Sequence, residues 1–212
     1  MNRYLTEFIG TFFLVLTIGF AVLAEAPLAP VAIGSALMVM IFMGGHISGA
    51  HYNPAVSLAV LIRGKISPVD FAIYVAAQIA GAIAAAFVVY IVLDKTFAPA
   101  PGKDVLAWKA VVVEALYTFA LALVVLNVAT AKGTDGNSFY GLAIGFTVLT
   151  GAVAVGGISG GAFNPAVGIG PTIVNAMQGG GNYNNLWIYL VGPFIGGALA
   201  GVVFKIQHPG EA

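Results

Sequence analysis

The chain has 212 residues, of which 60% are hydrophobic and only 8% are charged, whereas roughly 25% of the residues in soluble domains are charged. This composition excludes an ordinary soluble domain and predicts an integral membrane protein. The formal net charge is zero and no basic run occurs, so nothing indicates a nucleic-acid partner, and the absence of cysteine excludes disulfides and thiolate chemistry.

Six apolar runs are predicted to cross the hydrocarbon layer. They cover approximately residues 4–24, 31–45, 69–93, 108–129, 140–155 and 186–206. The runs are continuous rather than alternating, which favours helices over strands. The first run also resembles a secretory signal peptide, but Glu7 within it and its length favour a membrane span.

Six spans place both termini on the same side of the membrane, and the basic residues indicate which side this is. Five lie on the side of the termini, namely Arg3, Arg63, Lys65, Lys132 and Lys205. Three lie on the opposite side, namely Lys95, Lys103 and Lys109. Because cytoplasmic loops carry the excess of Lys and Arg, this bias predicts a multi-pass protein of the cell membrane with both termini in the cytoplasm.

The two halves of the chain repeat each other. The run EFIGTFFLVL from Glu7 recurs as EALYTFALAL from Glu114, and HISGAHYNPAV at 46–56 recurs as GISGGAFNPAV at 157–167. We therefore predict one integral domain built from two three-span units, residues 1–98 and 105–212, joined by a linker around 95–104. Because three is odd, the second unit enters the membrane from the opposite face, as an inverted repeat.

Each unit contains an Asn-Pro-Ala triplet that predicts the start of a short helix. Asn is a favoured N-cap and Pro a favoured first helical residue. The apolar run 54–62 after the first triplet is too short to span the membrane, so the fold class is an all-α membrane protein with six transmembrane helices and two re-entrant half helices. The triplets are Asn53-Pro54-Ala55 and Asn164-Pro165-Ala166.

Two such half helices would meet at the membrane midplane, where each presents a partial positive charge and an amide donor. This arrangement accepts a water oxygen, opposes a cation and interrupts proton relay. The segments before the triplets are irregular backbone at membrane depth, which is tolerated where it is buried in protein or lines a wet cavity. We therefore predict pore carbonyls at Gly49, Ala50, His51, Tyr52, Gly160, Gly161 and Ala162.

With its duplicated triplet, its paired glutamates and the run GHISGAHYNPAV, the chain resembles the aquaporin, or major intrinsic protein, family over nearly its whole length. The resemblance implies a homotetramer in the lipid bilayer, with one pore in each subunit that passively conducts water or small neutral solutes. It implies no enzymatic activity, cofactor or metal. It also implies that Glu7 and Glu114 accept backbone N–H groups of the pore loops and that His51 braces its loop.

In the family, four positions form the narrowest point of the pore, and here they correspond to Ile33, Ala152, Gly161 and Val167. Water-selective members commonly have an aromatic residue, a histidine, a small residue and an arginine at these positions. Some plant vacuolar members also have valine in place of the arginine. Without the arginine the filter is wider and mostly apolar, so we predict passage of water together with glycerol, urea, ammonia or hydrogen peroxide.

Three alternatives remain open. One is a strict water channel. Another is a coupled small-solute transporter, which inverted repeats also build, although the spans offer few titratable groups beyond the glutamates. The third is an intramembrane serine protease, because GISG at 157–160 matches the rhomboid pattern, yet His208 is the only histidine that follows Ser159.

Overall fold

The computed structural model describes residues 1–211, and within this range the regular structure is entirely helical. Eight α-helices follow one another, with short 3₁₀ turns at Lys132–Thr134 and Pro209–Glu211. The helices are α1 (Asn2–Leu23), α2 (Ala29–Ser48), α3 (Pro54–Ile62), α4 (Pro68–Leu93), α5 (Ala107–Thr130), α6 (Tyr140–Ser159), α7 (Pro165–Met177) and α8 (Ile188–Gln207).

Of the helices within residues 1–211, six are long and apolar enough to cross a membrane: α1, α2, α4, α5, α6 and α8. They coincide with the six predicted runs, and α3 begins and ends at the predicted residues. Helices α2 and α6 extend further than predicted, to Ser48 and Ser159, because the glycine pairs near their ends stay helical. Each of the two ends instead at a left-handed glycine, Gly49 or Gly160.

The spans pack in corresponding pairs, α1 against α4 and α5 against α8, while α2 and α6 also pack against each other. The two short helices fill the space between the spans, with α3 against α8 and α7 against α4. Glycines permit these approaches. A Cβ added at Gly170 of α7 would lie 2.6 Å from the backbone carbonyl carbon of Ala82 in α4, so this contact requires glycine.

The outward faces of the long helices expose large apolar side chains. Leu116, Val153, Leu199 and Ile206, for example, are all more than half exposed. Exposing so many large aliphatic side chains is unfavourable in water but favourable in hydrocarbon. The protein is therefore a multi-pass integral membrane protein, and its buried polar residues include Glu7, Glu114, Asn53 and Asn164.

Candidate functional site

The two loops that precede the Asn-Pro-Ala triplets adopt the same backbone conformation. Their φ angles match pair by pair, 86° and 89° at Gly49 and Gly160, 52° and 65° at Ala50 and Gly161, and 49° at both Tyr52 and Phe163. A left-handed conformation costs a non-glycine residue about 1–2 kcal/mol. Ala50, Tyr52 and Phe163 therefore need contacts that hold them in place.

The carboxylate of Glu7 supplies these contacts in the first loop. It is fully buried and accepts hydrogen bonds from the backbone N–H groups of His51 at 3.0 Å and Tyr52 at 2.7 Å. The Ser48 hydroxyl donates to the same carboxylate at 2.7 Å, as does the Gln78 amide at 2.8 Å. Four donors satisfy a group that is costly to bury otherwise.

Glu114 occupies the corresponding position in the second loop and is also fully buried. It accepts from the backbone N–H groups of Ala162 at 3.0 Å and Phe163 at 2.6 Å, and from the Ser159 hydroxyl at 2.7 Å. Ser48 and Ser159 thus end their helices with hydroxyls directed at a carboxylate. In the GISG motif, Ser159 donates to Glu114 and accepts from Gly161, which is a loop-closing arrangement rather than an activated nucleophile.

Three side chains that the sequence analysis missed complete this framework. Tyr74 and Tyr189 donate their hydroxyls to the carbonyls of Ser48 at 2.7 Å and Ser159 at 2.5 Å. Gln78 bridges Glu7 and the Ser57 hydroxyl. Tyr74 lies in the second turn of α4 and Tyr189 in the first turn of α8, the spans that follow the two half helices, so a matched polar aromatic in the two repeats was the available signal.

His51 is held within the first loop. Its Nδ1 lies 3.1 Å from the Ser57 Oγ, and its ring packs edge-on against Tyr74. These contacts are those expected of a side chain that braces the loop. Within residues 1–211, no group of three or more His, Asp or Glu side chains is arranged to hold a metal ion.

The two asparagines cap their helices and also link the two loops. The Oδ1 of Asn53 accepts from the N–H of Ala55 at 2.8 Å, and that of Asn164 accepts from the N–H of Ala166 at 3.0 Å. Each side-chain amide then donates across to the opposite loop at 2.9 Å, from Asn53 to the carbonyl of Phe163 and from Asn164 to the carbonyl of Tyr52. The sequence predicted the caps, but not that one N–H of each amide would join the loops.

These residues lie on a cavity of about 440 Å³, here called the filter-side cavity. All four predicted filter residues line it, although they come from four separate places: Ile33 from α2, Ala152 from α6, Gly161 from the second loop and Val167 from α7. Both asparagines line it as well. The fold therefore brings the predicted filter and the capping amides to one space.

Most of the predicted pore carbonyls belong to residues on the same cavity, namely Ala50, His51, Tyr52, Gly160, Gly161 and Ala162. Gly49 lies elsewhere, on a second cavity of about 630 Å³ that we call the termini-side cavity. Ile41, His51, Val125 and Ile144 line both cavities, so the two spaces adjoin at these residues. Together they form a path on either side of the paired loops.

The segment 97–100 is a further part of the filter-side cavity that the sequence analysis assigned only to the linker. Phe97 is buried against α1 and α4, and residues 97–100 line the cavity. The adjacent Gly102 donates its N–H to the carbonyl of Ile158 at 3.0 Å. The Pro and Ala residues of segment 97–100 form no pattern that would predict its place beside the cavity, because some of the residues it meets lie in the other half of the chain.

The filter-side cavity carries no charge. Among the described residues 1–211, its lining includes no Lys, Arg, Asp or Glu side chain. Its hydrogen-bonding groups are backbone amides and carbonyls, the two asparagines and His51, set among aliphatic side chains. Such a lining can exchange hydrogen bonds with a neutral polar molecule without offering it a counter-charge.

Six spans arranged around two capped half helices and a pair of adjoining cavities define a membrane channel. Comparison with known proteins agrees. Residues 1–204 match the family described as "Major intrinsic protein". The chain belongs to this family, and it is a channel rather than an enzyme.

Several known proteins are similar over most of their length. The "Glycerol uptake facilitator protein-like 6" of Lactiplantibacillus plantarum is 36% identical, with 98% of each chain covered. "Probable aquaporin TIP2-2" of Arabidopsis thaliana is 36% identical over 96% of this chain and 86% of its own. The "X-ray structure of the aquaglyceroporin from Plasmodium falciparum" superposes with a TM-score of 0.88 over 99% of this chain and 98% of its own, at 23% identity, which shows the same fold.

Proposed function

We propose that this channel passively conducts water together with small neutral solutes such as glycerol, urea, ammonia or hydrogen peroxide. The selectivity filter in this proposal consists of Ile33, Ala152, Gly161 and Val167. The observation that carries it is the uncharged lining of the filter-side cavity, to which Val167 contributes. The family resemblance implies that this valine corresponds to the arginine of water-selective members. The similarity to a protein named as a glycerol uptake facilitator supports the inclusion of glycerol.

The physical argument concerns size and hydrogen bonding. An arginine at position 167 would add a long side chain, several donors and a full positive charge to the narrowest part of the path. Valine adds none of these. Val167 follows the N-cap Asn164 by three residues, about one helical turn, and both residues line the filter-side cavity. Solutes that carry carbon atoms then meet aliphatic walls, while their hydroxyl or amide groups meet the loop carbonyls.

The test is solute flux in reconstituted vesicles, measured by stopped-flow swelling with water, glycerol and urea. We expect Val167→Arg to lower glycerol and urea permeability by about tenfold, the effect of a barrier raised by about 1.4 kcal/mol, while water permeability falls less. Val167→Leu is the matched control, because it adds volume without charge. If Val167→Arg passes both solutes as freely as wild type, the filter is placed wrongly.

The same assay separates the alternatives. A strict water channel would swell in response to water and pass glycerol no faster than empty vesicles. A coupled transporter would change its solute flux when a proton or sodium gradient is imposed, whereas a passive channel would not. We expect no response to either gradient, because the titratable groups buried in the spans, Glu7 and Glu114, are already bonded to the loops.

We infer three further properties of the assembled channel. The units 1–98 and 105–212 form an inverted repeat, an inference supported by the matched loop conformations and the corresponding helix pairs. Both termini face the cytoplasm, as the distribution of Lys and Arg favours. The chains assemble as a homotetramer, which the family resemblance implies.

A further inference from the structure

The connection between α4 and α5 is fixed at both ends to the other half of the chain. The hydroxyl of Thr96 donates to Oδ1 of Asn175 in α7 at 2.6 Å. The N–H of Gly102 donates to the carbonyl of Ile158, near the end of α6, at 3.0 Å. The residues between these two hydrogen bonds are therefore held in a defined position beside the filter-side cavity.

Residues 98–100, here called the carbonyl wall, line this cavity and offer it mainly hydrogen-bond acceptors. Pro99 in the wall and Pro101 next to it have no N–H group to donate. Among the described residues, no hydrogen bond from the chain reaches the carbonyls of the wall. The wall also lies against the second loop, because a Cβ added at Gly160 would be 2.9 Å from the Ala100 carbonyl oxygen. Its carbonyls are thus free to accept hydrogen bonds from a molecule in the cavity.

The two loops before the half helices also present acceptors rather than donors. The N–H groups of residues 50–52 are bonded to Ser48 and Glu7. Those of residues 160–163 are bonded to Glu114 and to groups at the end of α6. Within residues 1–211, several carbonyls of these loops accept no hydrogen bond from the chain, namely those of Ala50, His51, Gly160, Gly161 and Ala162. The hydrogen bonds that fix the loops therefore use up donors and leave carbonyls available.

Few side chains can donate to a solute in the filter-side cavity. The Tyr52 hydroxyl already donates to the Met40 carbonyl at 2.9 Å. Among the described residues on the cavity, the side chains that remain able to donate are those of Asn53, Asn164 and His51. One N–H of each asparagine amide is used to join the loops. Because each carbonyl can accept up to two hydrogen bonds, the acceptors on the cavity outnumber these donors.

We propose that the carbonyl wall determines specificity, so that among neutral solutes of equal size the channel favours those with more N–H or O–H donors. The inference deepens the proposed function and rests on it. A solute that enters the cavity loses hydrogen bonds to water. Its donors regain partners on the wall and the loops, whereas its acceptors find few.

Thr96 is a positioning residue in this proposal. Its hydroxyl fixes the start of the wall relative to α7, the half helix that carries Val167. Loss of this hydrogen bond frees one end of the wall, so its carbonyls no longer lie at a fixed distance from the proposed filter. The preference for donors should then weaken, while the passage of water, which is small and both donates and accepts, should change little.

The first test compares isomeric amides, which match one another in size. Propionamide has two N–H donors, N-methylacetamide has one and N,N-dimethylformamide has none. Stopped-flow swelling measures their permeability in vesicles, and the flux through empty vesicles is subtracted. We expect wild-type permeability to fall in this order by about fivefold for each donor lost, which corresponds to about 1 kcal/mol.

The outcomes of this test are distinct. Equal permeabilities of the three amides, or the highest for N,N-dimethylformamide, would overturn selection by donors, and if glycerol and urea still pass, the proposed function stands. If water passes but glycerol, urea and the amides cross no faster than through empty vesicles, the proposed solute range fails and the donor preference fails with it.

The second test examines the position of the wall. Thr96→Val keeps the shape of the side chain but removes its hydroxyl, so we expect the permeability ratio of propionamide to N,N-dimethylformamide to fall by about threefold. Water permeability should stay near the wild-type value. Thr17→Val is the matched control, because the Thr17 hydroxyl donates to the Phe13 carbonyl within α1. This control should leave the ratio unchanged.

Asn175→Ala removes the same hydrogen bond from its other side. If the bond positions the wall, Asn175→Ala and the double variant should lower the amide ratio as much as Thr96→Val does, without further addition. Fully additive effects would show that the two residues act separately and would contradict the positioning role. An unchanged ratio in Thr96→Val and Asn175→Ala, with or without a general loss of flux, would also contradict it.

Discussion

At the scale of single residues, the channel depends on two buried carboxylates that stabilise strained backbone. Glu7 and Glu114 each accept two consecutive backbone N–H groups from a loop that contains left-handed, non-glycine residues. The repeated glutamate in an apolar span indicated a functional group, because an ionisable group is rare there without a partner, and the family resemblance implied this particular role. The roles of the neighbouring serines and tyrosines were not predicted. The serine hydroxyls donate to a carboxylate and the tyrosine hydroxyls to backbone carbonyls, and these partners lie far away in the chain.

Glu114→Gln tests this arrangement at the residue scale. The amide retains one acceptor and turns an NH₂ group toward backbone N–H donors, so we expect a loss of about 2 kcal/mol or more in stability. Ser159→Ala removes two hydrogen bonds, the one donated to Glu114 and the one accepted from Gly161, and leaves both backbone bonds to Glu114 intact, so it should cost about 1–2 kcal/mol. Thermal unfolding in detergent measures both. Equal melting temperatures for Glu114→Gln and wild type would show that the carboxylate does not support the loop.

At the scale of elements, the half helices are positioned by close backbone contacts with the spans. Gly197 of α8 lies against the carbonyl of Ala55 in α3, and Gly170 of α7 lies against Ala82 in α4. The sequence predicted where both half helices begin, because Asn and Pro specify a helix start locally. It did not predict which span each one contacts, since small residues permit close packing without specifying the partner.

Gly170→Ala tests this packing. The added methyl group would lie 2.6 Å from the Ala82 backbone carbonyl carbon, so α7 must shift, and we expect a loss of about 1–3 kcal/mol together with lower permeability. Gly157→Ala is the matched control, because it lies within α6 and its added Cβ has no neighbour within 4 Å. Alanine has a higher helix propensity than glycine, so this substitution should be neutral or slightly stabilising. The two variants are compared by their melting temperatures in detergent and by their water permeability in vesicles.

At the scale of the whole molecule, we expect cation exclusion to rest on the two half-helix ends and their asparagines. Each helix end contributes about half a positive charge, and each asparagine has already used one amide N–H to join the opposite loop. The filter-side cavity adds no fixed charge within the described residues 1–211. With the proposed filter, we therefore expect a weaker barrier to cations than in a channel whose filter contains an arginine.

This weaker barrier predicts a modest proton or cation leak. In vesicles that contain a pH-sensitive dye, wild type should dissipate an imposed gradient somewhat faster than empty vesicles, and Val167→Arg should reduce the leak by adding a full charge to the filter. Val167→Leu again controls for volume. A wild-type leak no larger than that of empty vesicles would refute this prediction.

Assembly provides a further prediction at this scale. Light scattering of the detergent-solubilised protein, corrected for bound detergent, should give the mass of four chains of 21.6 kDa each. Large apolar side chains such as Leu116 and Val153 remain exposed on the outer faces of the single chain, where they can contact either lipid or a neighbouring subunit. A protein mass of one chain under mild detergent conditions would contradict the tetramer.

The sequence by itself determined the membrane class, the six spans, the two half-helix starts and the family. These features are encoded locally, in apolar length, in Asn-Pro caps and in a repeat that can be read along the chain. Only the tertiary structure decided which carbonyls the asparagines join, how 97–100 lines the cavity and that Arg63 pairs with Glu211. The physical reason is that each of these contacts joins residues far apart in the chain, so local sequence favours no particular partner.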